Sequence, residues 1–432
     1  MITKTKLLAA LGLSILLGGT AWAQDKPHVF TGAKIIPIAG QPIENGVLVV
    51  HQGKITAVGA AGQVKVPAGA TTFDLKGKVV MPGLVDTHSH LGEGSGGDGS
   101  AALHPDVRII DGIDPISDSF KRALSGGITT VNVMPGSGHL MSGQTVYLKM
   151  REGNTINDLA FCQDVQSGIC GGMKMANGTN PMKAAPFPGT RAKSAAMQRQ
   201  LFLDAQAYRS KIKAAKGKAD KMPERKPNLD PIVEILDGKR IVHFHTHRYD
   251  DILTALRLQK EFGFKLVLHH VSEAWKAADE IAKAGIPASI ITLDSPGGKA
   301  EAVEVRNENG AVLEKAGVLT AFHTDDGITD SRLFMRSAAL GVRAGMSREK
   351  ALEALTIAGA KMLELQDRVG SLEKGKDADF IVLSGEPFSV YTKVEQTWVE
   401  GKKRFDVANP DDKKFATGGY NTYSSDIHYH AH

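Results

Sequence analysis

Through the middle of the chain, apolar and β-branched runs alternate with stretches of helical spacing; the two ends are strand-like throughout. Residues 33–38, 46–50 and 54–58 read as short strands, parted by turn chemistry at Glu44-Asn45-Gly46 and Gln52-Gly53. The same texture returns at 380–383 and 394–399, with Glu400-Gly401-Lys402 as a hairpin turn. Between these ends, strands are predicted at 79–85, 128–134, 159–162, 172–175, 240–245, 265–270, 287–291 and 318–323. Helices are predicted at 117–125, 194–213, 250–262, 273–284, 310–316, 331–344 and 348–363. Alternation of this kind argues for parallel βα units, and eight strands is the count of a (β/α)8 TIM-type barrel, an α/β fold. Residues 186–230 are longer than a simple connection and read as an insertion on it.

Composition changes this picture little. The chain is 42% hydrophobic and 23% charged, ordinary for a globular protein with a real core. Lys4 and Lys6 precede an apolar run at 7–17 that is too short to span a bilayer, and Ala21-Trp22-Ala23 is a cleavage pattern. Residues 1–23 therefore read as a signal peptide, with Gln24 as the mature N-terminus and export to the periplasm or medium as the consequence. No stable membrane insertion is expected after cleavage. Formal charge is +5, less two once Lys4 and Lys6 are gone, too mild to argue for nucleic acid. The basic stretch 211–226 lacks interleaved aromatics and reads as a solvated helix and linker. Cys162 and Cys170 are close enough in sequence for a bridge that export would permit; whether the sulfurs meet stays open at this stage.

The chemistry gathers where barrel enzymes place it, at the C-terminal ends of the strands. The first strand ends in His88-Ser89-His90, whose alternation puts both imidazoles on one face, able to grip one metal ion. The fourth strand supplies Lys174. The fifth supplies His243, His245 and His247, the sixth His269 and His270, and the eighth His323, Asp325 and Asp326. One histidine at a strand end is usually a packed core residue; four strand ends rich in His or Asp point to a common metal site.

These pieces carry a resemblance. Met81-Pro82-Gly83-Leu84-Val85-Asp86-Thr87-His88-Ser89-His90, Gly126-Gly127-Ile128-Thr129-Thr130-Val131 and His245-Thr246-His247-Arg248 stand in family order with Leu268-His269-His270-Val271-Ser272-Glu273, His323-Thr324-Asp325 and the segment Gly370 to Asp379. The chain resembles the amidohydrolase superfamily, close to its imidazolonepropionase-like branch. The resemblance implies a metal-bearing barrel over 81–365 and a small β-sandwich built from 24–80 and 366–410, with 411–432 as a tail. It implies His88, His90, Lys174, His245, His270 and Asp325 as metal ligands. It selects His245 over His243 and His270 over His269, and leaves His243, His269 and His323 to packing or support of the ligands. Lys174 would be carboxylated and bridge two ions; an ion pair or substrate contact is the other reading. Imidazole and carboxylate donors suit zinc first, as one or two ions.

The implied reaction is hydrolysis of a C–N bond in an amide, dipeptide or cyclic amide or amidine by metal-activated hydroxide. Asp325 would shuttle the proton, and His247 or His270 would hydrogen-bond the substrate oxygen. Loops at the mouth offer Glu93, His139, Gln144, Asn177, Asn180, Arg248 and Tyr249. Among these Arg248, His139 and Asn177, with His247, are candidate substrate contacts, although Arg248 has Asp250 and Asp251 beside it as rival partners. A phosphoester or lactone hydrolase on the same site, and a non-catalytic exported metal-binding protein, are the alternatives. The expected partner is a small molecule, with a homo-oligomer left open. The tail histidines His428, His430 and His432 either collect metal or belong to an unstructured end.

Overall fold

The computed structural model describes residues 26–92, 94, 97–292 and 300–418. The expected signal peptide, Glu93 and the histidine-rich tail lie outside them. Strands β1 (His28–Ile35), β2 (Ile43–His51), β3 (Lys54–Ala60), β4 (Thr71–Asp74) and β5 (Val79–Pro82) open the chain. Nine more follow: β6 (Leu84–Ser89), β7 (Ile128–Val133), β8 (Met141–Gln144), β9 (Val146–Lys149), β10 (Met173–Ala176), β11 (Val242–Thr246), β12 (Leu266–His270), β13 (Ala288–Ile290) and β14 (Thr320–Phe322). Strands β15 (Phe380–Leu383), β16 (Val394–Val399) and β17 (Lys402–Asp406) close it. No helix among the described residues is long and apolar enough to cross a membrane.

The two chain ends meet in one eight-stranded sheet of order β17-β16-β15-β5-β1-β2-β3, with β4 on β1. Alternation supplies the reason. Phe30, Leu48, Val50, Phe380 and Trp398 pack on one side, and Val29, Val47 and Val49 on the other. Phe30 stacks on Phe73 at 4.9 Å and meets Phe380 edge-on at 4.8 Å, so aromatic burial ties the N-terminal strands to the C-terminal ones.

The remaining strands form a six-stranded sheet, β14-β13-β12-β11-β10-β8, and a three-stranded sheet, β6-β7-β9. Strands β10 to β14 pair in parallel. Only Thr145 separates β8 from β9, so one stretch of chain joins the two sheets on one side. On the other side Ser89 bridges Asp326, and Asp325 N–H donates to His88 O at 2.9 Å.

Several expectations need correction. Residues 79–85 are two strands, not one. At Gly83 the chain leaves the end sheet for the ring: its N–H donates to Asp379 O, whereas Leu84 N–H donates to Gly127 O. A Cβ at Gly83 would lie 2.2 Å from Thr129 Oγ1, so only glycine admits that passage. Residues 159–162 are not a strand either; Ile156–Leu159 is a helical turn closed by a Thr155/Asp158 capping box. The third position in the ring belongs to β9 and β8, which run antiparallel to β7 and β10. The link from Val133 to Met141 is too short to hold a crossover helix, and an antiparallel return is what so short a link allows. Residues 186–230 are not merely an insertion: helix Arg191–Ala215 buries Phe202 against Phe262 and Phe264 at 4.8 and 5.1 Å, as a crossover helix does. The region expected as one helix at 348–363 breaks into Arg348–Ala354 and Ile357–Met362 at Thr356, whose hydroxyl donates back to Leu352 O. The Cys162–Cys170 question closes: the sulfurs are bonded.

An ionic cluster fastens the end sheet to β9. Lys149, fully buried, pairs with Asp377 and, at 3.0 Å, with Asp379; Lys54 and Arg368 also reach Asp377. Burial pushes the Asp377 carboxyl up, but Lys149, Lys54 and Arg368 outweigh it and draw it down to about 2. A carboxylate depressed in this way stabilises the fold fully above its unfolded pKa of about 4, and that contribution is lost as pH falls toward 2. Asp377→Asn is therefore expected to cost about 3 kcal/mol at neutral pH, read by urea unfolding, with the gap to wild type closing below about pH 3. A gap independent of pH would show that the charge is not what matters.

Candidate metal centre

Strand ends bring the predicted chemistry into one buried cluster. Three groups of donors have ligand atoms within 4.8 Å of one another: His88, His90 and Asp325; His245, His247 and His270; and His88, His269 and His323. His88 links the groups, its ring centroid 4.7 Å from that of His270 and 5.2 Å from that of His90.

The backbone explains how β12 contributes two histidines to one interior. Strict alternation would put His269 and His270 on opposite faces. Both His270 (φ +70°) and Val271 (φ +39°) adopt the left-handed region, and this twist turns His270 back beside His245. Strained backbone of this kind persists where surrounding structure holds it. Asp325 is likewise left-handed at φ +51°.

Hydrogen bonds through Nδ1 orient three of the rings. His90 Nδ1–H donates to Met134 O at 2.8 Å, which leaves Nε2 as an acceptor in the neutral ring. That Nε2 lies 3.0 Å from Asp325 Oδ1, and His88 Nε2 lies 3.3 Å from the same oxygen. Lone pairs facing a carboxylate at this range need a proton or a cation between them. His247 Nδ1 meets Ser272 Oγ at 2.7 Å. His270 Nδ1 meets His323 Nε2 at 3.0 Å, and His323 continues through Ser289 to Thr87. His270 Nε2, buried, has no hydrogen-bond partner among the described residues. Burial, with Lys174 and the neighbouring rings, pushes His88, His269 and His270 well below the ordinary imidazole range, and His243 and His323 to about 3. Neutral, preoriented imidazoles beside a carboxylate are what a divalent cation binds, so the donor set fits one.

Lys174 joins the cluster, with Nζ 2.9 Å from His88 Nε2 and 3.0 Å from Met134 Sδ. The other predicted contacts stand apart. His139 Nε2 donates to Asp98 O, an acceptor it shares with His104. Asn177 donates to Asp251 O at 2.8 Å, and Arg248 is paired with Asp250 through two hydrogen bonds of 3.0 and 3.1 Å. Asn180, by contrast, lies 3.5 Å from His245 Nε2.

Two residues escaped the sequence reading. Asp86, fully buried, accepts from the N–H groups of His88 and Thr324 and from the Thr324 hydroxyl, tying β6 to the residues before Asp325. Glu301, 2% exposed, brings Oε1 to 3.6 Å from His245 Nε2. Burial would raise its carboxyl, yet His245 and His247 hold it well below the usual range. Asp86 sits inside the recognised motif and could have been singled out there; nothing in Glu301-Ala302-Val303-Glu304 distinguishes Glu301 from its neighbour.

With this geometry in view, likenesses to known proteins are informative. A family profile described as "Amidohydrolase family" matches residues 215–405. An amidohydrolase of Thermotoga maritima superposes with a TM-score of 0.80 at 33% identity, over 88% of this chain and all of that one. The imidazolonepropionase of Alkaliphilus metalliredigens is 24% identical over 377 residues, 79% of this chain and 84% of its own. Amidohydrolase tasK of Hapsidospora irregularis is 26% identical over 391 residues, 84% of this chain; the match spans only 40% of that longer protein.

Removing the Asp86 carboxylate should loosen the seam that carries Asp325. Asp86→Ala leaves three donors without their acceptor, and a loss of about 3 kcal/mol in urea unfolding is expected. A loss below 1 kcal/mol would mean the seam does not depend on it.

Proposed function

The chain belongs to the amidohydrolase superfamily, and from that premise we propose that it hydrolyses a C–N bond of a small molecule with the aid of divalent metal held by its histidine cluster. The observation that carries this reading is the convergence of His88, His90 and Asp325 with His245, His247 and His270 in one buried interior. We read His88, His90 and Asp325 as the residues that would hold one ion, His245 and His270 as those that would hold another, and Lys174, once carboxylated, as a ligand that would be shared by both. Zinc suits these donors first. When bound, such ions supply Lewis acidity and acidify water to near-neutral pKa.

The protein's own residues do the rest. Asp325 lies within 3.0 Å of His90 and 3.3 Å of His88. There it accepts the proton of the attacking water and delivers it to the leaving nitrogen. His247, steadied by Ser272, donates to the substrate oxygen as negative charge grows on it. The favoured substrates are amides, dipeptides and cyclic amides or amidines. His139, Asn177 and Arg248 remain our candidates for substrate contact, and for Arg248 that role requires exchanging Asp250 for a substrate carboxylate. The pairings of β6 through β14 support a barrel over 81–365, with 24–80 and 366–410 as its companion unit. Export is read from the leader-like start and supported by the Cys162–Cys170 bridge.

Metal analysis of protein purified without added metal is expected to find about two ions per chain, falling to one or none in Lys174→Ala. Two ions retained by Lys174→Ala would remove the bridge. Asp325→Asn is expected to lower kcat on an amide or dipeptide panel by about 100-fold or more. Metal-dependent turnover unchanged in that variant would sink the proton-carrier role, and turnover of esters without amides would favour the phosphoester or lactone reading.

A further inference from the structure

Glu301 stands outside every ligand set considered so far. It follows β13 on the short helical turn Ala300–Ala302 and is buried to within 2% of its surface. Its two oxygens have different surroundings. Oε2 accepts the Thr179 N–H, in a cradle where a Cβ on Gly178 would come within 2.3 Å of it. Glycine, at φ +79°, is therefore what lets the loop after β10 close around this carboxylate and fix its direction. Oε1 has no hydrogen-bond partner among the described residues and lies 3.6 Å from His245 Nε2. That separation is too long for a hydrogen bond.

It does suit two ligands of one metal ion. With metal–nitrogen and metal–oxygen distances of about 2.1 Å in a tetrahedral site, neighbouring donor atoms stand about 3.4 Å apart. A buried carboxylate oxygen without a donor is costly unless a cation meets it. His245 belongs to the group with His247 and His270, which includes no carboxylate among the described residues, whereas the group at His88 and His90 has Asp325.

We propose that Glu301 is a metal ligand, supplying a carboxylate for the ion held by His245 and His270. The inference rests on the two-ion reading above and extends it: both ions then have imidazole and carboxylate donors. With His245, His270 and Lys174, Glu301 would complete a set of four donors, so Glu301 must release its oxygen when substrate takes a place at that ion.

The test uses the full chain stripped of metal and titrated with cobalt(II), with affinity measured by chelator competition and coordination by visible absorption. Wild type should take two ions. Glu301→Gln should weaken one by more than about 100-fold, beyond the 10–100-fold typical of losing an outer carboxylate, and leave the other unchanged. The absorption of the weakened ion should change, and Glu304→Gln should change nothing. If Glu301→Gln does not fold, Glu301→Asp, which keeps the charge but draws it back, should weaken the same ion. Unchanged binding, a smaller loss with an unchanged spectrum, or equal weakening of both ions would each overturn the proposal. A wild-type chain that takes no cobalt would instead defeat the metal-dependent reading itself.

Discussion

The seam between residues 86–90 and 323–326 is the constraint on which the site depends. Asp86 holds Thr324 by backbone and hydroxyl, Asp325 N–H donates to His88 O, and Ser89 bridges Asp326. Through these contacts the first and last strands of the ring lie side by side, although most of the chain separates them. Asp326 reinforces the seam from outside by its buried pair with Arg122, at 3.0 Å, and its bond to Ser331. The Asp325 carboxylate lies 3.3 Å from His88 and 3.0 Å from His90.

A packed interior of imidazoles is unusual, and its chemistry explains it. Burial favours the neutral form of His88, His243, His269, His270 and His323, and a neutral ring needs one partner for its N–H and one for its lone pair. Hydrogen bonds among His243, His269 and Tyr147, and from His270 through His323 to Ser289 and Thr87, engage both nitrogens of His243 and His323 and one each of His269 and His270. His270 Nε2 and His269 Nδ1 have no hydrogen-bond partner among the described residues. A hydrogen-bonded layer of this kind fixes ring orientation, which would lower the reorganisation that binding a metal ion requires.

The end sheet contributes through rigidity. Its aromatic cluster joins the two chain ends, and the Lys149 cluster anchors them to β9, which pairs with β7. Such a buried ion pair is weak support for stability in itself, but breaking it leaves a charge stranded. It gives the junction one geometry, and β6 starts from that junction at Gly83.

Much was legible in the chain by itself. The alternation of apolar runs and helical stretches located the ring strands from β10 onward and most helices, because burial on both faces demands continuous apolar runs. His-x-His on one strand face, histidines at later strand ends and Asp325 after a threonine were readable as a candidate metal constellation, and the fold does gather them, since strand periodicity is local. What needed the tertiary structure was non-local. The break at Gly83 depends on the close approach of Thr129, a neighbour distant in sequence. The antiparallel third position depends on which strands find each other, not on their own propensity. His270 enters the site through a backbone twist that alternation denies, and Arg248 turns to Asp250 although its sequence permits other roles. Glu301 shows the limit most clearly: one glutamate among several in a polar stretch, it becomes a buried carboxylate beside His245 only because the loop at Gly178 and Thr179 folds around it. Periodicity and residue chemistry are properties of short segments, and the chain alone determined those; the direction of each donor is set by contacts between segments, and only the fold decided that.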